Sequence, residues 1–136
     1  MYRKILIGGI LFCMLSVVLG AFGAHALKAL VTPDNLQIFE TGLMYQSMHG
    51  MALIALSLFG QQSSVKAVDN SLKWVAIFFS IGIFLFSGSL YGLTILSNSS
   101  NPILPILGPI TPLGGLCFIL AWGLWLRLVL KHKVDK

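Results

Sequence analysis

Apolar residues run along this chain in four long stretches, separated by short polar breaks. The first occupies about residues 5–24, carries no charge and follows Arg3 and Lys4. At about 1.5 Å rise per residue, a helix of about 20 residues spans roughly 30 Å, which is the thickness of bilayer hydrocarbon. The others lie at about 36–59, 74–97 and 112–130. Together they predict an all-α, polytopic membrane protein, with four transmembrane helices in a small bundle and one domain over residues 1–136.

The breaks carry their own signals. Residues 25–31 keep helical spacing but become amphipathic, and Thr32-Pro33-Asp34 reads as a stop followed by a new start. Thr32 suits a helix cap, and Pro33 suits the first helical position, where a missing N–H costs nothing. Residues 60–73 form a polar loop, and residues 97–101 form an uncharged polar turn. Pro102, Pro105, Pro109 and Pro112 put four prolines into eleven residues. A helix interior loses a hydrogen bond at each proline, so this stretch predicts an irregular approach, with the last helix starting near Thr111 or Pro112. The first stretch has a rival reading as a cleaved signal peptide, with Ala24-His25-Ala26 as the cleavage site. Signal h-regions run about 7–15 residues, and this one is too long.

Composition sets the solvent. The chain is 57% hydrophobic and 10% charged, with mean hydropathy +0.90. A soluble domain is about 45–50% apolar and about 25% charged. The net charge of +5 is scattered over segment ends. A nucleic-acid surface would need a clustered basic face, so no nucleic-acid partner is expected. Arg3, Lys4, Lys66, Lys73, Arg127, Lys131, Lys133 and Lys136 fall on one side of a four-span topology, with Lys28 alone on the other. Cytoplasmic loops carry the Lys/Arg excess, which predicts a plasma- or inner-membrane protein with both termini cytoplasmic. Cys13 and Cys117 both lie inside apolar stretches and make no disulfide framework.

The candidate chemistry sits on the second stretch. Gln37, Thr41, Tyr45 and His49 recur every four residues, with Gln46 beside the deep end of this stripe. Polar groups at membrane depth are costly and face protein or water. Two readings follow: a polar intramembrane site with His49 as proton acceptor or ligand, or an interhelical hydrogen-bond network, since such side chains act as glue between membrane helices. The second is favoured, because a buried polar group needs a partner whether or not it does chemistry. Glu40 falls on the opposite side from His49 and is placed to form an interfacial ion pair with Lys28 or His25. His25 and His49 have no clear third ligand, so no metal site is expected, and no cofactor is implied. A nucleophile elbow, a Gly-rich phosphate loop and paired carboxylates are all missing from the sequence.

Small residues predict close helix approach. Ser16, Gly20 and Ala24 form one stripe, Gly88 and Gly92 another, and Gly114-Gly115 sits near the start of the last helix. Packing within the chain is the favoured use of these stripes over a dimer face.

Three motifs carry a resemblance: Gly20-Ala-Phe-Gly-Ala-His25-Ala-Leu-Lys28; Phe39-x-Thr41-Gly-x-x-Tyr45-Gln46-x-x-His49-Gly-x-Ala52-Leu; and Thr111-Pro-x-Gly-Gly115 with Trp122-Gly. They resemble the YgdD/YwdK-like family of small inner-membrane proteins, over essentially the whole chain. Gly42 and Gly50 stand where Ala is more usual in that family. The resemblance implies four transmembrane helices and a bacterial plasma membrane, with mitochondrial relatives in eukaryotes. It implies no reaction. The expected role is an accessory or assembly partner of a larger membrane complex. The alternative is a small proton- or solute-conducting transporter or channel, acting as a homo-oligomer, with the polar stripe lining its path. A membrane enzyme is the least expected class.

Overall fold

A computed structural model describes residues 1–62, 66–97 and 102–131, with side chains for all of these except 66–69. The middle-loop residues Lys66 and Asp69, as side chains, and the turn residues 98–101 lie outside the described set, as do the tail cations Lys133 and Lys136. The described chain is helical throughout: α1 (Tyr2–His25), a 3-10 turn (Leu27–Ala29), α2 (Pro33–Gln62), α3 (Lys66–Gly82), a π-helical segment (Ile83–Ser87), α4 (Gly88–Ile95) and α5 (Leu104–Lys131).

Three segments are long and apolar enough to cross a membrane: Tyr2–Ala29, Asn70–Leu96 and Leu104–Lys131. α2 is also long, at 30 residues, but its middle holds Tyr45, Gln46, Ser47 and His49. It starts where the sequence placed the break, with the Asn35 N–H donating to the Thr32 hydroxyl at 3.3 Å. That bond satisfies one of the orphan donors of the first turn.

Neighbouring elements run antiparallel. Ser57 of α2 bonds the Tyr2 carbonyl at one end of α1, while Gly23 near the other end of α1 faces Phe39. Gly42 faces Tyr91, and Asn35 meets Thr94. Phe79 packs on Trp122, and Ser89 meets Thr111. The core lies between α2, α3 and α5 and includes Leu53, Leu56, Leu72, Val75, Phe79, Ile83, Phe118 and Ala121. α1 is peripheral, with only Gly9, Ser16 and Gly23 buried. Its outer face is apolar and open, as at Val17 (74% exposed). Leu130 and Ile119 of α5 are similarly bare, at 74% and 70%. A surface of this kind belongs against lipid tails rather than water.

The proline-rich stretch departs from expectation. α5 begins at Leu104 rather than near residue 112 and runs through Pro109 and Pro112. Pro105 sits in the first turn, where its missing N–H has no helical acceptor anyway. Pro109 and Pro112 are both exposed on the outer side of the helix. Each removes one intrahelical bond. An irregular segment in lipid would leave many more groups unpaired, so the helix persists through both.

The π-helical segment marks the middle of the third stretch. A π turn inserts one residue into the helical ladder and shifts the face presented beyond it. Ile83 and Ser87 stay buried across the segment, and Ser89 and Thr94 are buried beyond it.

Candidate functional site

The buried face of α2 comprises Phe39, Gly42, Gln46, His49, Gly50, Ala52, Leu53, Leu56, Ser57 and Gly60. It is rotated from the predicted stripe. Gln37 is exposed, and Thr41 and Tyr45 are half-buried. The Thr41 hydroxyl donates to the Gln37 carbonyl at 2.9 Å, one turn back along its own helix. Of the five predicted residues, Gln46 and His49 are the two in the interior, at 2% and 1% exposure.

Gln46 joins three helices. Its Nε2 donates to the Phe12 carbonyl of α1 at 3.0 Å, and its Oε1 accepts from the Tyr91 hydroxyl of α4 at 2.9 Å. Both ends of the amide are therefore engaged across helix boundaries.

His49 joins α2 to α5. Its Nδ1 lies 2.8 Å from the Tyr45 carbonyl, and its Nε2 lies 3.2 Å from the indole nitrogen of Trp122. A carbonyl only accepts and an indole N–H only donates. The two contacts are met together by the neutral ring with its proton on Nδ1. The ring also stacks on Phe118, with centroids 3.5 Å apart and planes 7° apart. Tyr45, Phe79 and Trp122 complete an aromatic surround.

Hydroxyls repeat the pattern at other junctions. Ser57 donates to the Tyr2 carbonyl at 2.9 Å, and Thr94 to the Asn35 carbonyl at 3.0 Å. The Ser89 and Thr111 hydroxyls meet at 2.7 Å, between α4 and α5. Ser16 returns its proton to the Phe12 carbonyl within α1. Among the described residues, Ser87 is the one whose buried side-chain oxygen has no hydrogen-bond partner. It ends the π-helical segment.

Glu40, Lys28 and His25 are all exposed, and no ion pair joins them among the described residues. The small residues divide in the same manner. Ser16 is buried, Gly20 half-buried and Ala24 exposed. The closest approach of α1 to α2 falls at Gly9 and Gly50 instead. A Cβ on Gly9 would lie 2.7 Å from the Gly50 carbonyl oxygen, and one on Gly50 would lie 2.9 Å from the Cys13 sulfur. Gly88 has open space around it, whereas a Cβ on Gly92 would meet Leu107 at 2.8 Å. Gly114 lies against the Phe86 backbone, and Gly115 is only in ordinary contact with the Phe86 ring. Among the described residues, no three His, Cys, Asp or Glu side chains group to hold a metal.

Sequence reasoning did not place Tyr91 and Trp122 in the site. The structure gives each a buried acceptor on α2. The available signal was donor matching. α2 exposes two acceptors to its neighbours, and Tyr and Trp carry a polar hydrogen that seeks a partner when buried.

Comparison with known proteins places the chain. A family profile described as "Protein of unknown function (DUF423)" matches residues 19–115. The UPF0382 membrane protein YwdK of Bacillus subtilis is 38% identical over 120 residues, covering 88% of this chain and 90% of its own. A UPF0382 membrane protein of Haemophilus influenzae is 39% identical over 111 residues, covering 82% and 78%. One from Schizosaccharomyces pombe is 36% identical over 111 residues, covering 81% and 87%. No solved structure matches. With its helices, its lipid-compatible exterior and these relatives, the chain belongs to the DUF423 family of membrane proteins.

Proposed function

We propose that this protein is a non-catalytic accessory or assembly partner of a larger membrane complex. In this reading it crosses the plasma membrane four times, α2 included, with both termini on the cytoplasmic, basic side. The observation that carries the role is the state of the polar groups. Of the buried polar side chains Ser16, Gln46, His49, Ser57, Ser87, Ser89 and Thr94, all but Ser87 are bonded within the chain. A conduction path needs polar groups facing a lane, and a catalytic site needs a group free to meet substrate. His49 is the strongest candidate for either role, and both of its ring nitrogens are engaged while an aromatic ring covers its face. The outer surface, rich in large apolar side chains, remains as the part able to meet another membrane protein.

Reconstitution with native-membrane isolation tests this. The purified protein in liposomes should carry no proton or solute flux above empty vesicles. From native membranes it should co-purify with a partner at fixed stoichiometry. A pH-dependent flux abolished by His49→Ala would overturn the proposal in favour of an oligomeric transporter.

A further inference from the structure

The C-terminal half of α3 borders a groove that opens sideways from the bundle. Its walls come from α1 and α3, and Leu53 of α2 forms its floor. The cavity measures about 370 Å³. Lys4 and Lys73 stand at one end, and Ile5, Gly8, Ile77 and Phe84 line the apolar remainder. From Lys73 to Phe84 the helix advances about 16 Å, at 1.5 Å per residue. This is an apolar slot of acyl-chain dimensions with two cations at its mouth.

Among the described side chains, none is a counter-ion to the charges at that mouth. The described acidic side chains, Asp34 and Glu40, lie in the first turns of α2, at the opposite end of the bundle from Lys4 and Lys73. The other side of α3 repeats the pattern at the same end. A cavity of about 300 Å³ there is lined by Trp74, Phe78 and Leu128, with Arg127 and Lys131. This end of the bundle therefore presents cations at the ends of its apolar helices, and basic pockets between membrane helices suit anionic headgroups.

We infer that the groove between α1 and α3 is a binding site for one anionic phospholipid of the adjoining leaflet. Its phosphate lies between Lys4 and Lys73, and one acyl chain lies along Ile5, Gly8 and Phe84. Gly8 lines this groove. A Cβ there would meet no protein atom within 4 Å, so the space beside it is left open by the fold. The inference is independent of the accessory role proposed above, and of which leaflet is cytoplasmic.

Native mass spectrometry of the full chain tests it, with the protein released from micelles doped with phosphatidylglycerol or phosphatidylcholine. Wild type should retain phosphatidylglycerol roughly thirtyfold more tightly, as two cations near an anionic headgroup imply. The double variant K4Q/K73Q should lose one retained phosphatidylglycerol per chain. Gly8→Leu, which fills the groove without touching a charge, should lose the same lipid while its melting temperature in lipid-free micelles stays near wild type. Equal retention of the two lipids overturns the inference, as does competition by inorganic phosphate alone. So does an unchanged lipid count in either variant.

Discussion

His49 shows how one ionisable side chain is accommodated in the interior of the helix bundle. The neutral ring, with its proton on Nδ1, meets a carbonyl on its own helix and an indole N–H on α5, while Phe118 covers its face. The stack and the bonds separate by mutation. His49→Phe keeps a ring against Phe118 and leaves the Trp122 N–H unpaired, and interhelical bonds in membranes are worth about 0.6 kcal/mol, with a maximum near 1.7. His49→Ala also opens a cavity among Tyr45, Phe79 and Phe118, which raises the loss to about 2–4 kcal/mol. Denaturant titration in micelles should rank the variants in that order. If His49 served only chemistry, both variants would unfold like wild type.

At the scale of elements, small side chains decide which helices touch. α1 meets α2 over a long, close seam in which Gly9 and Gly50 let backbone approach backbone. Gly9→Ala should cost about 1–3 kcal/mol through overpacking, more than the roughly 1 kcal/mol gained in helix propensity. Gly8→Ala, one residue away in open space, should be neutral or slightly stabilising. The same unfolding titration distinguishes the two. Adjacent positions on one helix should thus give opposite signs, which propensity alone would not produce. The π-helical segment acts at this scale too. Its extra residue sets the face on which Tyr91 reaches Gln46 and Thr94 reaches Asn35.

At the scale of the molecule, four antiparallel helical stretches enclose a core on α2, α3 and α5, and α1 is attached at one side. Tyr2, Lys73 and Arg127 then share one end, and the Thr32 turn lies at the other. Reporter fusions check the four-crossing proposal. A reporter at the C-terminus and one inserted between residues 61 and 69 should both read cytosolic, and one at Thr32 should read external. A cytosolic reading at Thr32 would remove α2 from the set of crossing helices.

The hydrophobic pattern by itself determined that the protein is an all-α membrane protein and where most helices lie, because burial in lipid depends on local apolarity and length. It also marked the Thr32-Pro33 start of α2, which is local capping chemistry. Its local rules misread the prolines, because proline's cost depends on what surrounds the helix, and in lipid the unpaired alternative is worse. The interior face of α2 was only half legible. Four-residue spacing groups Gln37, Thr41, Tyr45 and His49, yet which side of a helix is inward depends on where its neighbours pack. Only the tertiary structure brought Phe12, Tyr91 and Trp122, distant in sequence, to Gln46 and His49. Periodicity records a residue's own helix, whereas a hydrogen bond between helices needs the position of both.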